Sequence, residues 1–254
     1  MKLLQRAINE IMNTRLTVSG NFDDSTKHWL SELKNKFHIN EDGFGDSVKH
    51  YLNDYFNYKY LSRSDIDIIA NKYQLTYAQV KTLIFAMSDG IGYDEKGMLK
   101  ICFNRYLFYK ELSKFLPKND LVLLEKNNAS ILTSKENESG KSNYNNMGYT
   151  RFKVAKKIDN DAAMLSCKLG MFNLSVNEFK ACGYNSAKEM FVSYIEREYN
   201  QLNSFIVYIS RIVGLMDNVK LNDWTTVARK LIKDADKLNM GNILANKWLL
   251  YSSI

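Results

Sequence analysis

The chain has 254 residues, 45% of them hydrophobic, enough for one large domain or for a small one followed by a larger one. Its formal charge of +7 favours anionic partners such as nucleic acid, lipid surfaces and wall polymers, yet the bases are interspersed with acids, which leaves no strong case for nucleic acid. No apolar run approaches the roughly 20 residues that span a bilayer, and the opening MKLLQRAINEIMN is too polar for a signal peptide, so a product found in the cytoplasm of the producing cell and not exported by the general route is expected.

Three cysteines, Cys102, Cys167 and Cys182, are far apart and lack the paired spacing of a zinc site, so buried thiols are expected and neither metal nor cofactor. The single proline, Pro117, lets helices run uninterrupted, and strand-like alternation is rare. The fold class is therefore predicted as mainly α.

After an opening helix, Asp24-Ser25-Thr26-Lys27-His28-Trp29-Leu30 recurs as Asp46-Ser47-Val48-Lys49-His50-Tyr51-Leu52, each copy preceded by a glycine turn at Gly20 and at Gly43-Phe44-Gly45. An Asp or Ser suits a helix N-cap, and the aromatic and Leu that follow suit its inward face, so two capped helices are predicted. His28 and His50 fall at equivalent positions with no third ligand at metal-binding spacing. They read as surface or packing residues.

From Ser62 to Met87 two helices are predicted, the first capped by Ser64 with Ile66, Ile68, Ile69 and Tyr73 on its stripe. Thr76 caps the second, with Val80, Leu83, Ile84 and Met87 on its stripe, and the turn Asp89-Gly90-Ile91-Gly92-Tyr93 ends it. Residues 126–147, rich in Asn, Ser, Lys and Glu, read as a mobile polar loop, and Glu125, which opens this polar segment, is a poor candidate for an acid. Beyond it, Phe191, Ile195, Glu198, Leu202, Phe205, Ile206 and Ile209 form one long stripe. Asn222 or Asp223 then caps a helix carrying Trp224, Val227, Ala228, Leu231, Ala235 and Leu238.

Leu4-Gln5, the run Ser19-Gly20-Asn21-Phe22-Asp23-Asp24-Ser25-Thr26 and Asp42-Gly43-Phe44-Gly45 are similar to the peptidoglycan-binding three-helix domain found beside many wall hydrolases, over about residues 1–57. That family shows Leu-Gln, Asp-Gly-x-Phe-Gly-x-x-Thr and Asp-Gly-x-x-Gly, so Ser19 and Asp23 stand for its Asp and second Gly. The resemblance implies Gly20, Phe22, Thr26, Gly43 and Gly45 as wall-binding candidates. Simple capping of two helices explains the repeat equally well.

The segment from Leu61 to Lys110 resembles the catalytic half of the N-acetylmuramidase domain of phage endolysins. There the helix before the Gly-x-Gly turn ends in Glu-Ser, and the next segment reads roughly Phe-Glu-Arg-His-x-Phe; here they are Met87-Ser88 and Phe103-Asn104-Arg105-Tyr106-Leu107-Phe108. The run Asp161 to Asn173, the pair Gly183-Tyr184, Glu198 with Gln201-Leu202 and Phe205, and Asp223-Trp224 with Ala228-Arg229 continue the resemblance to about residue 250. Leu169 stands where the family has its cleft tryptophan, Asn173-Leu174-Ser175-Val176 where it has Gln-Ile-Met-Gly, and Leu231-Ile232-Lys233 where it has Tyr-Asn-Gly.

The resemblance implies a small three-helix N-terminal domain, 1–57, and a larger lysozyme-like helical domain, 61–254, whose cleft is degenerate at Tyr106, Leu169, Asn173, Glu198 and Gln201. Glycoside hydrolysis needs an acid to protonate the leaving oxygen, usually with a second carboxylate across the sugar, and neither Met87 nor Asn104 can serve. An endolysin-like protein that has lost catalysis and acts by binding peptidoglycan, or another phage or lysis protein, is expected, in a phage particle or released to the cell wall. The alternative is an active muramidase whose acid has moved to Asp89 or Glu95.

Overall fold

The computed structural model describes residues 1–94, 97–136, 146–212 and 214–253. Three amphipathic helices open the chain: α1 (Lys2–Met12), α2 (Asp24–Lys36) and α3 (Asp46–Lys59). Leu4, Ile8, Leu30, Leu33, Val48 and Leu52 form a small core of their own between them. Thr26 and Val48, and again Leu30 and Leu52, occupy equivalent positions of the repeat, and all four are buried.

The caps lie beside the expected residues. Asp23, not Asp24 or Ser25, caps α2 by accepting the Thr26 N–H at 2.8 Å, and Glu41 caps α3 from a distance by accepting from Ser47 N at 2.9 Å and Val48 N at 3.2 Å. Asp24 and Asp46 sit in the first turn instead, where the helix dipole favours an acid, and each pairs with the lysine three residues on. The Thr26 bonds hold the Asp23 carboxyl below its ordinary range.

A buried acid joins this unit to the rest. Glu10 accepts from Tyr55 Oη at 2.8 Å, from Lys59 Nζ at 3.1 Å and from Tyr60 Oη, while Lys59 also donates to Gly97 O at 2.8 Å. Burial pushes the Tyr55 and Tyr60 phenols up, so both stay protonated donors.

The larger part is also helical: α4 (Arg63–Tyr73), α5 (Tyr77–Met87), α6 (Arg105–Leu112), α7 (Lys118–Asn127), α8 (Asn146–Ala155), α9 (Asn160–Leu165), α10 (Ala187–Glu196), α11 (Glu198–Ser210), α12 (Leu215–Lys220), α13 (Trp224–Leu231) and α14 (Met240–Ser252). One continuous core runs through it from Ile66 to Leu244. Among the described residues no helix is long and apolar enough to cross a membrane. The mainly α class expected from the sequence is what the chain adopts.

Several local expectations shift. Ser62, not Ser64, caps α4, in a capping box with Asp65, whereas Thr76 caps α5 as expected and Asp223 caps α13. Ile68 points to solvent. The long stripe breaks at Arg197, whose extended backbone separates α10 from α11 and leaves Ile195 exposed. The helix expected to reach Leu238 ends at Leu231, because Ile232 is extended and Asp234 takes a left-handed φ of 57°.

The polar segment after α7 is not simply a loop. Ile131, Leu132 and Thr133 are buried, and Glu125 ties the segment by accepting Ser134 N at 2.6 Å. Residues 137–145 lie outside the described residues.

A small antiparallel sheet, absent from the sequence reading, pairs β1 (Ile101–Phe103) with β2 (Cys167–Leu169), and β2 with β3 (Leu174–Ser175). Gly148 on α8 lies so close to β1 that a Cβ there would fall 2.1 Å from Ile101 O, which is why this helix carries a glycine at the contact. Burial pushes the Cys167 thiol well up and the Cys182 thiol up to about 12, so both are inert packing groups.

Candidate functional site

The sheet and three helices bring the sequence-predicted residues to one region. Helix α5 delivers Met87, the 88–93 turn follows it, β1 delivers Asn104, and the turn between β2 and β3 delivers Asn173. Asp89 N–H donates to Met171 O at 2.8 Å, Lys100 N–H to Gly92 O at 2.9 Å and Gly170 N–H to Lys100 O at 3.0 Å. The two turns and the strand β1 are thereby laced into one rim.

Helix α11 fastens that rim from behind. Glu198, only 2% exposed, accepts Gly92 N–H at 2.6 Å on one oxygen and Leu61 N–H at 2.9 Å on the other. Burial pushes its carboxyl above the ordinary range against the opposing pull of these two bonds and of Lys100 and Lys59. Gln201, one turn on and 0% exposed, accepts Met171 N–H at 2.9 Å and donates to Tyr194 O at 3.0 Å.

Both rim turns need glycine where they meet Gln201. A Cβ at Gly92 would lie 2.1 Å from Gln201 Oε1, and one at Gly170, which also has a φ of +67°, would lie 2.3 Å from the same atom. Glu198 and Gln201, expected as cleft residues, are thus placed behind the rim with their polar atoms committed to backbone. Leu169 likewise packs into the core.

At the front the chemistry is different. Met87 is half-buried against the core, and its thioether carries no proton to give. Asn104 caps α6: its Oδ1 accepts Leu107 N–H at 2.9 Å, while its own N–H donates to Ser166 O at 2.9 Å. An asparagine here is well chosen for capping and cannot ionise. The capping signal was present in the sequence as an Asn directly before the run Arg105-Tyr106-Leu107-Phe108.

Tyr106 is half-buried with Lys110 Nζ 5.7 Å from its ring centroid. Asn173 has a left-handed φ of 50°, and its buried Oδ1 has no hydrogen-bond partner among the described residues. Asp89 is exposed at the start of the turn, beside Ser88, whose Oγ donates to Gly90 O at 2.8 Å. Glu95, the other fallback acid, lies outside the described residues. Among the described residues no group of three or more His, Cys, Asp or Glu is placed to hold a metal ion.

In the N-terminal unit the motif residues build a turn around the buried Gln5. Gln5 Nε2 donates to Asn21 O at 2.8 Å and to Thr26 Oγ1 at 3.0 Å, and Gln5 Oε1 accepts Gly20 N–H at 2.8 Å. Thr26 is buried within this network, whereas Phe22 is exposed. Gly20 and Gly43 take left-handed φ values of 89° and 60°, and a Cβ at Gly45 would overlap the Glu41 carboxylate that caps α3.

Comparison with known proteins places this geometry. A family model described as N-acetylmuramidase matches residues 76–231, which include Met87, Asn104, Glu198 and Gln201. The crystal structure of a Burkholderia AP3 phage endolysin superposes with a TM-score of 0.67 at 20% identity, over 100% of this chain and 95% of that one. The fold is therefore shared from the three-helix unit to α14. No match is found among curated proteins.

Proposed function

The chain belongs to the N-acetylmuramidase family, and from that premise we propose that it engages peptidoglycan by binding and does not cut it. The observation that carries this reading is the employment of the two expected acid positions: Met87 packs on the core and Asn104 spends its side-chain oxygen on the α6 cap. Removing a general acid costs on the order of 10² to 10⁴ in rate, and here the second carboxylate is missing as well. Glu198 supplies no replacement, since both its oxygens are occupied and it is shut away from solvent.

In this reading residues 1–57 form a wall-binding domain and residues 61–254 a muramidase-like domain retained as a folded body. Exposed Phe22 beside the Gln5-pinned turn is the side chain among the five wall-binding candidates that is free to meet a ligand. A lysis or virion protein is the competing partner.

Co-sedimentation of the intact protein with purified peptidoglycan tests the proposal, with turbidity followed in the same tubes. Retention in the pellet with unchanged turbidity is expected. The exposed Asp89 favours the second reading, a relocated acid, and clearing of the suspension that is lost in Asp89→Asn would establish it. Failure to pellet, with capture of a lysis or virion protein instead, would transfer the binding role to that partner.

A further inference from the structure

The end of α5 opposite Met87 carries a second concave surface. Two adjoining hollows meet at Arg63: one of about 350 Å³ is lined by Tyr77, Trp248, Tyr251 and Asn222, and one of about 500 Å³ by Tyr58 and Arg197. Ten residues of helix separate Tyr77 from Met87, so this groove stands about 15 Å along the axis from the eroded rim.

Its groups are held ready and only partly used. The Arg63 guanidinium lies 4.6 Å from the Tyr77 ring centroid, and that of Arg197 lies 5.0 Å from the Tyr58 ring. The ring contact leaves the Arg63 donors at the edge of its guanidinium, whereas Arg197 spends its Nη2 on the Asp65 carboxylate in the floor of the second hollow and keeps its remaining donors. Asn222 Oδ1 accepts Gln79 Nε2 at 2.9 Å, and its own amide N–H2 takes no partner among the described residues. Tyr58 is 58% exposed, and Trp248 and Tyr251 are half-buried at the wall of the first hollow.

Half-exposed aromatic rings beside fixed amide and guanidinium donors suit one ligand chemistry well. The C–H faces of a pyranose pack on such rings, while its hydroxyl and acetamido oxygens take the N–H donors. Two hollows in a row fit a chain of sugars better than a single one. We propose that this groove is a second glycan site, which takes a strand of N-acetylated amino sugars away from the muramidase cleft. The choice of sugar rests on the peptidoglycan-binding reading. The groove also gives the large domain a means of holding glycan after its cleft has lost the groups for it.

Tryptophan fluorescence of the intact protein tests the site, with chitotetraose as the probe. In a Trp29→Phe background the remaining tryptophans are Trp224, only 2% exposed, and Trp248 in the groove wall, so a ligand-dependent signal reports the groove. A saturable change is expected, about tenfold weaker in Arg63→Ala and in Tyr251→Ala. Arg63 is exposed, so its variant keeps the test open if Tyr251→Ala unfolds. No saturable change, or equal affinity in folded variants, would overturn the proposal. Wall sedimentation separates the two ideas. If walls retain the wild type and both variants equally, with no chitotetraose signal, the groove proposal falls and the binding function stands. If walls do not retain the wild type, the binding function falls, and the titration still decides the groove.

Discussion

Behind the rim, Glu198 and Gln201 spend four hydrogen bonds on backbone groups of Leu61, Gly92, Met171 and Tyr194, and two glycines leave room for Gln201. At the front, Met87 packs and Asn104 caps, and neither offers a proton. The back fastens the two turns, while at the front these two side chains serve packing and capping. A chain drifting freely would have lost buried fasteners as readily as exposed acids, since an unsatisfied buried backbone group costs roughly 1–3 kcal/mol. The proposed binding function accounts for the contrast as selection for a folded body without selection for cutting.

The contrast breaks most visibly from behind. Gln201→Leu leaves Met171 N–H unpaired in the interior and Tyr194 O with only the Tyr93 hydroxyl, for an expected loss of about 1–3 kcal/mol in chemical denaturation. Gly92→Ala drives a methyl into Gln201 Oε1, with an expected loss of about 1–3 kcal/mol by the same measurement. A cost near zero for either would remove the claim that α11 fastens the rim.

Glu198 adds a pH signature. Its folded-state value is raised above an unfolded value of about 4.3, so the folded chain binds the extra proton between the two. Its contribution is fully present below about pH 4.3 and is lost as pH rises through the folded value. In Glu198→Gln this part of the slope should vanish from a stability-versus-pH series. Asp223 runs the other way: the Thr226 bonds lower its carboxyl, so its contribution is present at neutral pH and lost on acidification.

At the front the effects are smaller. Asn104→Ala removes the α6 cap and should cost about 1 kcal/mol, while Asn104→Asp, which caps as well, should stay close to wild type. Met87→Glu places an acid at a helix C-terminus, which the dipole disfavours by roughly 0.3–1 kcal/mol, and should leave walls undigested. Digestion by this single variant would show that the rest of the front remains competent.

Much of this frame was readable as local pattern. The stripe Val80, Leu83, Ile84, Met87 and the Thr76 and Asp223 caps need only neighbours three or four residues away, and the family motifs carried the lysozyme-like class. What escaped notice depends on distance in sequence. Glu198 meets Leu61 and Gly92, and Gln201 meets Met171, across 137, 106 and 30 residues, so their structural task cannot be seen from spacing. Strands of two or three residues have no room for alternation, which hid the sheet. The break at Arg197 hid inside a stripe that stays apolar on both sides. Ile131 and Leu132 were masked by polar neighbours, although their side chains belong to the core.

Mass spectrometry of the soluble fraction after incubating the wild-type protein with purified peptidoglycan bears most directly on the proposal that a chain with Met87 and Asn104 at the two acid positions binds without cutting. The expected spectrum matches that of walls incubated alone. Disaccharide muropeptides ending in reducing N-acetylmuramic acid, above that background, would contradict it.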